Sequence, residues 1–530
     1  MIPFAVFTGA CYGVRAGARF SYPWEVSCLP VGIFLMSLFG VAMLGQGEFT
    51  LTALSFLGFL LVFAGVGLSS VCKSRGTKHD YYLADRTVKP WLVGLSAVAT
   101  NNSGYMFIGV IGYTYVTGLA SIWLMLGWIV GDFLASLFVH ARLRYATGDT
   151  NQVSYAGVLS HWYGGRQLRL QRLIGLVSLL FLMAYASAQL VAGGKALHVL
   201  FQWPSWLGAA MGAAIVSLYC IAGGIRASIW TDAMQSCVMI VAMGALLVVA
   251  VDSLGGLNQA VMQMRRVEGF LDWFPGQLPV PGVGGAMLFA LGWLFAGFSV
   301  VGQPHIMVRF MTLNKVSDMR RARIWYYLWF TGFYALATGV GMLSRIYLSD
   351  SANFDAELAL PLMALDLLPP VGVGLILAGI FAATMSTADS LVLSCSAAIT
   401  HDLLPKAVER PIFIRLATLL VTGCALGLAL TSNQSVFNLV ILSWSALASA
   451  FAPLLIFLCL GVRPGESQSI AALLAGLLVA IAWRILGWHE WLYEGLPGML
   501  AGSMVIYLAR PGRRVDRNDE LVGNTDRDPI

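Results

Sequence analysis

A polar stretch, Thr100-Asn101-Asn102-Ser103-Gly104, interrupts a segment that is otherwise apolar and long enough to cross a lipid bilayer. In hydrocarbon, a backbone N–H or C=O without a partner is costly, so irregular backbone persists only where it lines a cavity within the protein. The stretch therefore indicates a helix opened to face a small solute or an ion. The alternative is an intact helix whose small polar residues pack against its neighbours.

A second apolar segment, 283–309, carries a comparable interruption, with Gly292, Gly297 and Gly302 followed by Pro304. Proline removes a backbone hydrogen bond and kinks a helix. Interrupted helices at corresponding places in two halves of a chain are the sequence pattern of the central site of a secondary transporter. The second interruption thus favours the opened-helix interpretation of the first, whereas kinks that serve packing alone are the alternative.

Hydroxyl and carboxylate side chains share one face of a third apolar segment. Ser386, Asp389 and Ser390 stand at positions i, i+3 and i+4, with Thr387 adjacent. Oxygen atoms on one helical face inside a membrane are ligands of the kind that Na⁺ needs. Hydrogen bonding between helices is the alternative for the hydroxyls, but an intramembrane acid such as Asp389 is costly and usually functional.

Other polar residues within apolar segments have two interpretations each. Asp232 could bind a cation or cap a helix start, and Asp132 is either a buried partner of a hydroxyl or a proton-handling group. Lys195 lies near the outer end of its segment, where it can extend its ammonium group towards water. Tyr185 and Gln189 are one turn apart on one face, which suits either the wall of a solute site or ordinary packing.

The composition describes the kind of protein that must position these residues. Of 530 residues, 58% are hydrophobic and only 11% are charged, whereas soluble domains carry about 25% charged residues. This indicates a single integral membrane unit. The net charge of +6 is not a nucleic-acid footprint, because the basic residues concentrate in alternating loops. The eight cysteines show neither metal-binding nor disulfide spacing, so we interpret them as buried thiols.

The hydrophobic pattern predicts fourteen spans of about 20 residues each. Lysine and arginine in every second loop predict that both termini are cytoplasmic. The predicted spans are 30–46, 51–72, 90–116, 119–141, 173–200, 205–224, 229–251, 283–309, 324–348, 369–400, 413–431, 435–461, 468–487 and 494–509.

Each interrupted segment begins a group of five predicted spans. Because five is an odd number, the second group must enter the membrane in the opposite sense, which predicts an inverted repeat. The predicted divisions are an N-terminal segment with one extra helix (1–50), a helix and cytoplasmic loop (51–89), the first repeat (90–251), an external loop (252–282), the second repeat (283–461), two peripheral helices (462–509) and a cytoplasmic tail (510–530).

Several short motifs resemble the sodium:solute symporter family, and the Gly-Gln-Pro-His run resembles its sodium/proline branch most. The resemblance covers about 50–510, in order and with the family's spacing. The motifs are Asp80-Tyr-Tyr-Leu-Ala-Asp-Arg86, Leu95-Ser-Ala97, Ser103-Gly104, Gly223-Gly-Ile-Arg-Ala-Ser-Ile-Trp-Thr-Asp232, Gly302-Gln-Pro-His-Ile-Met-Val-Arg-Phe-Met311 and Met385-Ser-Thr387.

This resemblance implies an all-α, leucine-transporter-like fold that works by alternating access. It implies a sodium ion held by carbonyls of Ala99, Asn102 and Ala383 and by the side chains of Ser386 and Thr387. Some members hold a second sodium, for which the matching residues are Asp232, Asp389 and Ser390, together with Ser386. The residues expected around the solute are Asn101, Ser103, Gly104, Tyr105, Tyr185, Gln189, Phe298 and Ser299.

The chain departs from the family pattern at three places. Proline carriers have an aspartate where this chain has Asn101, and Asp389 stands where many relatives have a serine, which would restore the charge from the other side. Tyr105 replaces a tryptophan in the first interruption. In the second, Ala296 aligns with a tryptophan, and Trp293 lies about one turn away.

We therefore expect a multi-pass symporter of the cytoplasmic (inner) membrane that takes up a small organic solute, such as a proline-like amino acid, with sodium as coupling ion. Catalysis, an organic cofactor and a nucleic-acid partner are not implied. One alternative is a proton-coupled carrier in which Asp389 or Asp132 titrates. The other is a nutrient sensor built on a transporter fold.

Overall fold

The computed structural model describes residues 47–71, 77–278, 280–348, 355–404, 411–431 and 435–508. These residues form helices and no strand, apart from one isolated bridge between Val88 and Leu313. In chain order the helices are α1 (Gly47–Val71), α2 (Lys78–Leu83), α3 (Pro90–Asn101), α4 (Gly104–Phe107), α5 (Gly109–Thr117), α6 (Ile122–Thr150), α7 (Tyr155–His161), α8 (Leu168–Phe201), α9 (Ser205–Ser253), α10 (Leu257–Met264), α11 (Val283–Phe298), α12 (Pro304–Met311), α13 (Met319–Tyr347), α14 (Ala359–Leu367), α15 (Pro370–Ala397), α16 (Pro411–Thr431), α17 (Val436–Cys459), α18 (Glu466–Ile485) and α19 (Gly495–Leu508).

Eight helical segments in the described part are long and apolar enough to cross a membrane, and three apolar helices are shorter. The predicted span 30–46 and the predicted tail 510–530 lie outside the described residues. The eight segments are Gly104–Thr150, Leu168–Phe201, Gly223–Ser253, Val283–Gly302, Pro370–Leu403, Ile412–Thr431, Val436–Cys459 and Glu466–Ile485.

The first predicted interruption is present. Helix α3 ends at Asn101. The next two residues, Asn102 (φ −89°, ψ 71°) and Ser103 (φ −69°, ψ −173°), leave the helical conformation, and α4 begins at Gly104. The amide N–H of Gly104 donates to the side-chain oxygen of Gln189 (2.9 Å). The polar side chains thus satisfy backbone groups that an unbroken helix would have paired, as the cost of unsatisfied groups in a membrane requires.

The second predicted interruption is present as well. Helix α11 ends at Phe298, a 3₁₀ turn covers Ser299–Gly302, and Gln303 is extended (φ −97°, ψ 101°) before α12 starts at Pro304. Proline fits the first position of a helix because its missing N–H would have no partner there. The Gln303 amide donates to the carbonyls of Ser299 (3.2 Å) and Trp444 (2.9 Å), which fixes the turn.

One predicted boundary was wrong, and another coincides with a kink. We expected the second span of the first repeat to end at 141 and the arginines after it to lie in a loop, but α6 continues to Thr150. Arg144 is buried. Its guanidinium donates to the carbonyls of Leu313 (2.5 Å) and Asn314 (3.0 Å), which satisfies the buried charge. The predicted span 205–224 ends where the chain changes direction, at Gly224 (φ 55°, ψ −146°), a conformation that only glycine adopts readily. Arg226 itself lies within α9.

Helices α6 and α11 approach each other closely through glycines. A methyl group on Gly131 would overlap the carbonyl oxygen of Leu294, and one on Gly297 would overlap that of Trp128. Small residues allow such close backbone approach between membrane helices. This contact fixes α11, and with it the second interruption, against α6.

We expect Gly131→Ala to lower the stability of the folded protein by about 1–3 kcal/mol, because the added methyl group has no space unless the two helices separate. Thermal unfolding of the detergent-solubilised protein, followed by tryptophan fluorescence, measures the effect. Gly423→Ala on α16 is the matched control, since no atom lies within 4 Å of the added methyl group. Equal unfolding temperatures for the two variants would contradict this account of the helix contact.

Candidate functional site

Hydroxyls of α15 hydrogen-bond to carbonyl oxygens at the end of α3. Ser386 Oγ donates to the carbonyls of Ala99 (3.1 Å) and Ala383 (3.1 Å), and Thr387 Oγ1 donates to the carbonyl of Thr100 (2.9 Å). All five residues are buried. We call this group of oxygens the α3–α15 seat. A hydroxyl can turn its hydrogen away and present lone pairs, so the seat can offer carbonyl and hydroxyl oxygens to a small cation.

The seat includes most of the expected sodium ligands. Ala99, Ala383, Ser386 and Thr387 lie together. The carbonyl of Asn102 stays a prediction as a ligand, and the Asn102 side-chain amide donates to the Val98 carbonyl (2.9 Å). The carbonyl of Thr100 was not expected as a member. Ser386 bonds to the carbonyl of Ala99, and the next residue, Thr387, bonds to the next carbonyl, that of Thr100. This one-residue step on both helices could have been anticipated from the sequence.

A charged cluster lies beside the seat. The guanidinium of Arg309 on α12 is 3.3 Å from Asp232 Oδ2 on α9 and 3.6 Å from Asp389 Oδ1 on α15. All three side chains are at most 1% exposed. Two carboxylates and one guanidinium leave one excess negative charge in the cluster when all three are ionised. Burying such a charge is costly unless it is paired.

Hydroxyl groups complete the coordination of the two carboxylates. Ser96 Oγ donates to Asp232 Oδ2 (2.6 Å), while Ser228 Oγ (2.9 Å) and Ser390 Oγ (3.0 Å) donate to Asp389 Oδ1. Arg309 also donates to the hydroxyls of Ser228 and Ser390. Asp232 Oδ1 has no hydrogen-bond partner within the described ranges.

Ser390 joins the cluster to the seat. Its Oγ donates to the Ser386 carbonyl (2.6 Å) and lies 3.2 Å from Thr100 Oγ1. The three residues expected for a second cation, Asp232, Asp389 and Ser390, are therefore neighbours. Asp232 does not cap a helix start, because α9 continues through it from the kink at Gly224.

The sequence interpretation missed Arg309, which it assigned to the start of a basic loop. The run Ile306-Met-Val-Arg-Phe-Met311 is apolar apart from this arginine. Arg309 follows the helix-starting Pro304 by five residues and lies on the same helix. That pattern is a signal for a buried arginine, and therefore for a buried carboxylate partner, that was available in the sequence.

Side chains from five helices form a circuit of contacts between the two interruptions. Tyr185 OH on α8 donates to Ser103 Oγ (3.2 Å), and its ring lies 5.4 Å from that of His305 on α12. The remaining ring contacts, measured between centroids, are His305–Trp444 (6.5 Å), Trp444–Trp128 (5.2 Å) and Trp128–Tyr105 (5.7 Å). We call these residues the aromatic circuit. Trp128, Trp444 and His305 were not among the expected solute residues.

Several buried polar atoms beside the circuit have no hydrogen-bond partner in the described structure: Tyr105 OH, Gln189 Nε2, Gln303 Oε1 and both ring nitrogens of His305. Buried polar groups in native proteins are nearly always paired, so each such atom needs an explanation. Donors and acceptors of both kinds close to aromatic rings suit a small molecule that is itself both a donor and an acceptor.

Three expected solute residues face elsewhere. Ser299 Oγ donates to the Phe295 carbonyl (2.8 Å) and lies 2.9 Å from Tyr493 OH, and the ring of Phe298 packs beside Phe295 (5.7 Å). The Asn101 amide contacts Tyr326 OH (2.5 Å) on α13 and Asp132 (3.5 Å) on α6. The residues that do meet at the first interruption are Ser103, Gly104, Tyr105, Tyr185 and Gln189.

Ion pairs and stacked rings close one end of the molecule. Lys195 Nζ on α8 lies 2.6 Å from Asp355 and 2.7 Å from Glu357, so it is paired rather than extended towards water as expected. The Glu357 carboxylate also accepts the first N–H groups of α17, from Val436 (3.2 Å) and Phe437 (2.9 Å). The ring of Phe437 stacks on Tyr105 (5.2 Å).

Comparison with known proteins gives matches over most of the chain. The model of the sodium:solute symporter family matches residues 81–476. The sodium/proline symporter of Escherichia coli strain K12 is 31% identical over 469 residues, which are 84% of this chain and 91% of that protein. The high-affinity proline transporter PutP of Bacillus subtilis strain 168 is 30% identical over 440 residues, or 81% of this chain and 91% of that protein.

Solved structures give the fold. A Na⁺-coupled sialic acid symporter in a substrate-bound, outward-open state matches with a TM-score of 0.71 at 18% identity, over 88% of this chain and 99% of that chain. A nucleobase-cation-symport-1 family transporter in a closed conformation matches with a TM-score of 0.54 at 14% identity, over 81% and 93%. The all-α, leucine-transporter-like fold expected from the sequence is thereby confirmed. A symporter moves its solute without converting it. Because the family model matches most of its length, this chain belongs to the sodium:solute symporter family of secondary transporters.

Proposed function

We propose that this protein takes up a small amino acid of the proline type together with sodium across the cytoplasmic membrane. The observation that carries the proposal is the α3–α15 seat, in which Ser386 and Thr387 bond to carbonyls beside the first interruption. The relatives named as sodium/proline symporters support both the ion and the solute class.

The sodium ligands in this proposal are the oxygens of the seat, with the carbonyl of Asn102 as a further ligand. Bound sodium replaces the hydroxyl–carbonyl hydrogen bonds between α15 and α3, and so bridges the two helices by charge. The bridge stabilises the outward-open form and raises the affinity for the solute. Loss of sodium to the cytoplasm then loosens α3 from α15 and releases the solute.

The charged cluster favours the cation from one side. Its excess negative charge lies two hydrogen bonds, through Ser390, from Ser386 of the seat. We assign Arg309 as the positive charge that neutralises part of the cluster. In this proposal a second sodium binds Asp232, Asp389 and Ser390 only when Arg309 moves aside, because its guanidinium occupies the space between the two carboxylates.

The solute site in this proposal is the aromatic circuit with its unpartnered polar atoms. Tyr105 OH and Gln189 Nε2 can donate to a carboxylate, and Gln303 Oε1 can accept from an ammonium or imino group. The rings of Trp128 and Trp444 suit an apolar side chain or ring. Ser103 and Gly104 complete the site.

The proposed topology has fourteen spans with both termini in the cytoplasm, and its core is the five-plus-five inverted repeat of 90–251 and 283–461. Each repeat then starts with one interrupted helix, α3–α5 or α11–α12. The inversion brings the two interruptions to the same depth, where the aromatic circuit connects them.

Uptake by purified protein in proteoliposomes tests the proposal. We expect an inward sodium gradient to drive accumulation of radiolabelled L-proline or of another small amino or carboxylic acid from a screened panel, and an equal potassium gradient to give none. Protein-free liposomes are the control. Accumulation driven by a pH gradient without sodium would contradict sodium coupling, and solute binding without accumulation would contradict transport and favour a sensor.

A further inference from the structure

A second buried acid site lies beside the end of α3, apart from the charged cluster. Asp132 on α6 is fully buried. Its Oδ2 accepts from Tyr326 OH (2.6 Å), its Oδ1 accepts from Tyr327 OH (2.9 Å), and the Asn101 amide is 3.5 Å away. Within the described ranges, no lysine, arginine or histidine nitrogen forms an ion pair with it. Every donor to this carboxylate is neutral.

This environment distinguishes Asp132 from Asp232 and Asp389, which share the guanidinium of Arg309. A carboxylate without a cation is costly inside a membrane protein, and protonation removes the charge. Phenol hydroxyls serve either form, because each can donate to the carboxylate or accept from the carboxylic acid. The site is therefore suited to hold Asp132 with and without a proton.

Asp132 is connected to the first interruption by a chain of two hydrogen bonds. The Asn101 amide donates to Tyr326 OH (2.5 Å), and Tyr326 OH donates to Asp132. Asn101 is the last residue of α3 and adjoins Thr100, whose carbonyl belongs to the α3–α15 seat. An ionised Asp132 can only accept, so Tyr326 OH must donate to it. A protonated Asp132 can donate to Tyr326 OH instead, and a reversed Tyr326 hydroxyl then meets an acceptor only if the Asn101 amide turns its oxygen towards it.

A second connection leads away from the interruption. Tyr327 is only partly buried and lies one helical turn from Arg323 at the basic end of α13. Arg323 in turn reaches the carbonyl of Ser136 on α6 (3.5 Å). In the proposed topology this end of α13 is cytoplasmic, so Tyr327 separates Asp132 from water on that side.

The helices around Asp132 carry further titratable and charged groups. Helices α3 and α11 contain none, and α17 contains only Cys459. On α12, Arg309 is held by the two carboxylates of the charged cluster. The ring of His140 on α6 stacks on Phe310 (3.8 Å). The remaining groups on these helices are His305 on α12, Arg142, Arg144, Tyr145 and Asp149 on α6, and Arg320, Arg321, Arg323, Tyr326, Tyr327, Tyr334, Arg345 and Tyr347 on α13.

We propose that Asp132 is a proton-binding site that is loaded and emptied during the transport cycle. A proton from water adds to the carboxylate to give the carboxylic acid, and the same proton returns to water past Tyr327. The state of Asp132 reaches the first interruption through Tyr326 and Asn101. The proton site itself does not depend on the proposed solute, and only the link to uptake rests on the proposed function.

Infrared difference spectroscopy on the full chain in lipid tests the proton site without any solute. We expect the carbonyl stretch of a protonated carboxylic acid to appear as the pH is lowered, with the acid-to-carboxylate ratio changing about tenfold per pH unit. Asp132→Asn should remove this band. Asp149→Asn, on an exposed position of the same helix, should leave it unchanged. Asp132→Glu, which keeps a carboxyl group, should shift the band rather than remove it.

The link to uptake is tested by sodium-driven L-proline uptake at a series of pH values. We expect Tyr326→Phe to retain the infrared band but to lose the pH dependence of uptake, because the chain to Asn101 is broken. A titration difference spectrum that is the same in Asp132→Asn as in the unaltered protein would overturn the proton site. If the unaltered protein takes up no solute while the band behaves as expected, the proposed function fails and the proton site stands.

Discussion

Replacing Arg309 with methionine is expected to abolish uptake and to lower the unfolding temperature more than any other single change considered for this protein. The substitution leaves Asp232 and Asp389 buried without their shared cation. Removing one partner of a buried ion pair costs about 3–5 kcal/mol, which is a large part of the roughly 5–15 kcal/mol that stabilises a typical folded protein. Thermal unfolding by tryptophan fluorescence at one fixed heating rate, together with size-exclusion chromatography, measures the loss.

A surface ion pair supplies the control. Arg321→Met removes a 77% exposed side chain that pairs with Asp318 three residues away, and such pairs contribute little to stability. The triple variant Arg309→Met, Asp232→Asn, Asp389→Asn should regain much of the lost stability, because it removes both carboxylates with the guanidinium. An Arg309→Met protein as stable as the Arg321→Met protein would show that this cluster does not hold the helices together.

Ser386→Ala and Thr387→Ala are each expected to raise the sodium concentration needed for half-maximal uptake. Each removes one oxygen of the α3–α15 seat and one hydrogen bond between α15 and α3. A loss of about 1.4 kcal/mol in ion binding corresponds to a roughly tenfold increase in that concentration. Initial rates of solute uptake, measured against sodium concentration at constant ionic strength, give the value.

Ser396→Ala is the matched control for both variants. Ser396 is also a buried serine of α15, but its hydroxyl donates to the Ile414 carbonyl on α16 (3.2 Å), away from the seat. It should leave the sodium dependence unchanged even if the maximal rate falls. Unchanged sodium dependence in the Ser386 and Thr387 variants would remove the seat from the mechanism.

The features predicted best are those with a local cause. Both interruptions follow from glycine, proline and polar residues at the point where the backbone changes, and the shared face of Ser386, Asp389 and Ser390 follows from helical spacing. Most residues of the seat were expected to lie together, and their role as sodium ligands stays a prediction. The oxygens of the seat come from one turn of α15 and one turn of α3, and the family resemblance supplied the pairing of these two helices.

The features missed depend on how distant helices are rotated and crossed. The run around Arg309 indicated a buried arginine, but only the packing of α12 and α13 shows which carboxylates Arg309 and Tyr326 contact. Lys195 was expected to extend towards water because it lies near the outer end of its segment, and the fold brings Glu357 to it from 162 residues away. Spacing along one helix contains no information about such partners.

The carboxylate of Glu357 connects three separate segments at the closed end of the molecule. It bonds to Lys195 on α8 and to the first two amides of α17, and it belongs to the turn that precedes α14. Phe437, which follows the first of those amides, covers Tyr105 at the first interruption. A tilt of α17 away from this turn would therefore break the helix-end bonds and the ring stack together, whereas the Lys195–Glu357 pair, which joins α8 to the turn, need not break. This one carboxylate thus couples the start of α17 to the ring that covers the first interruption.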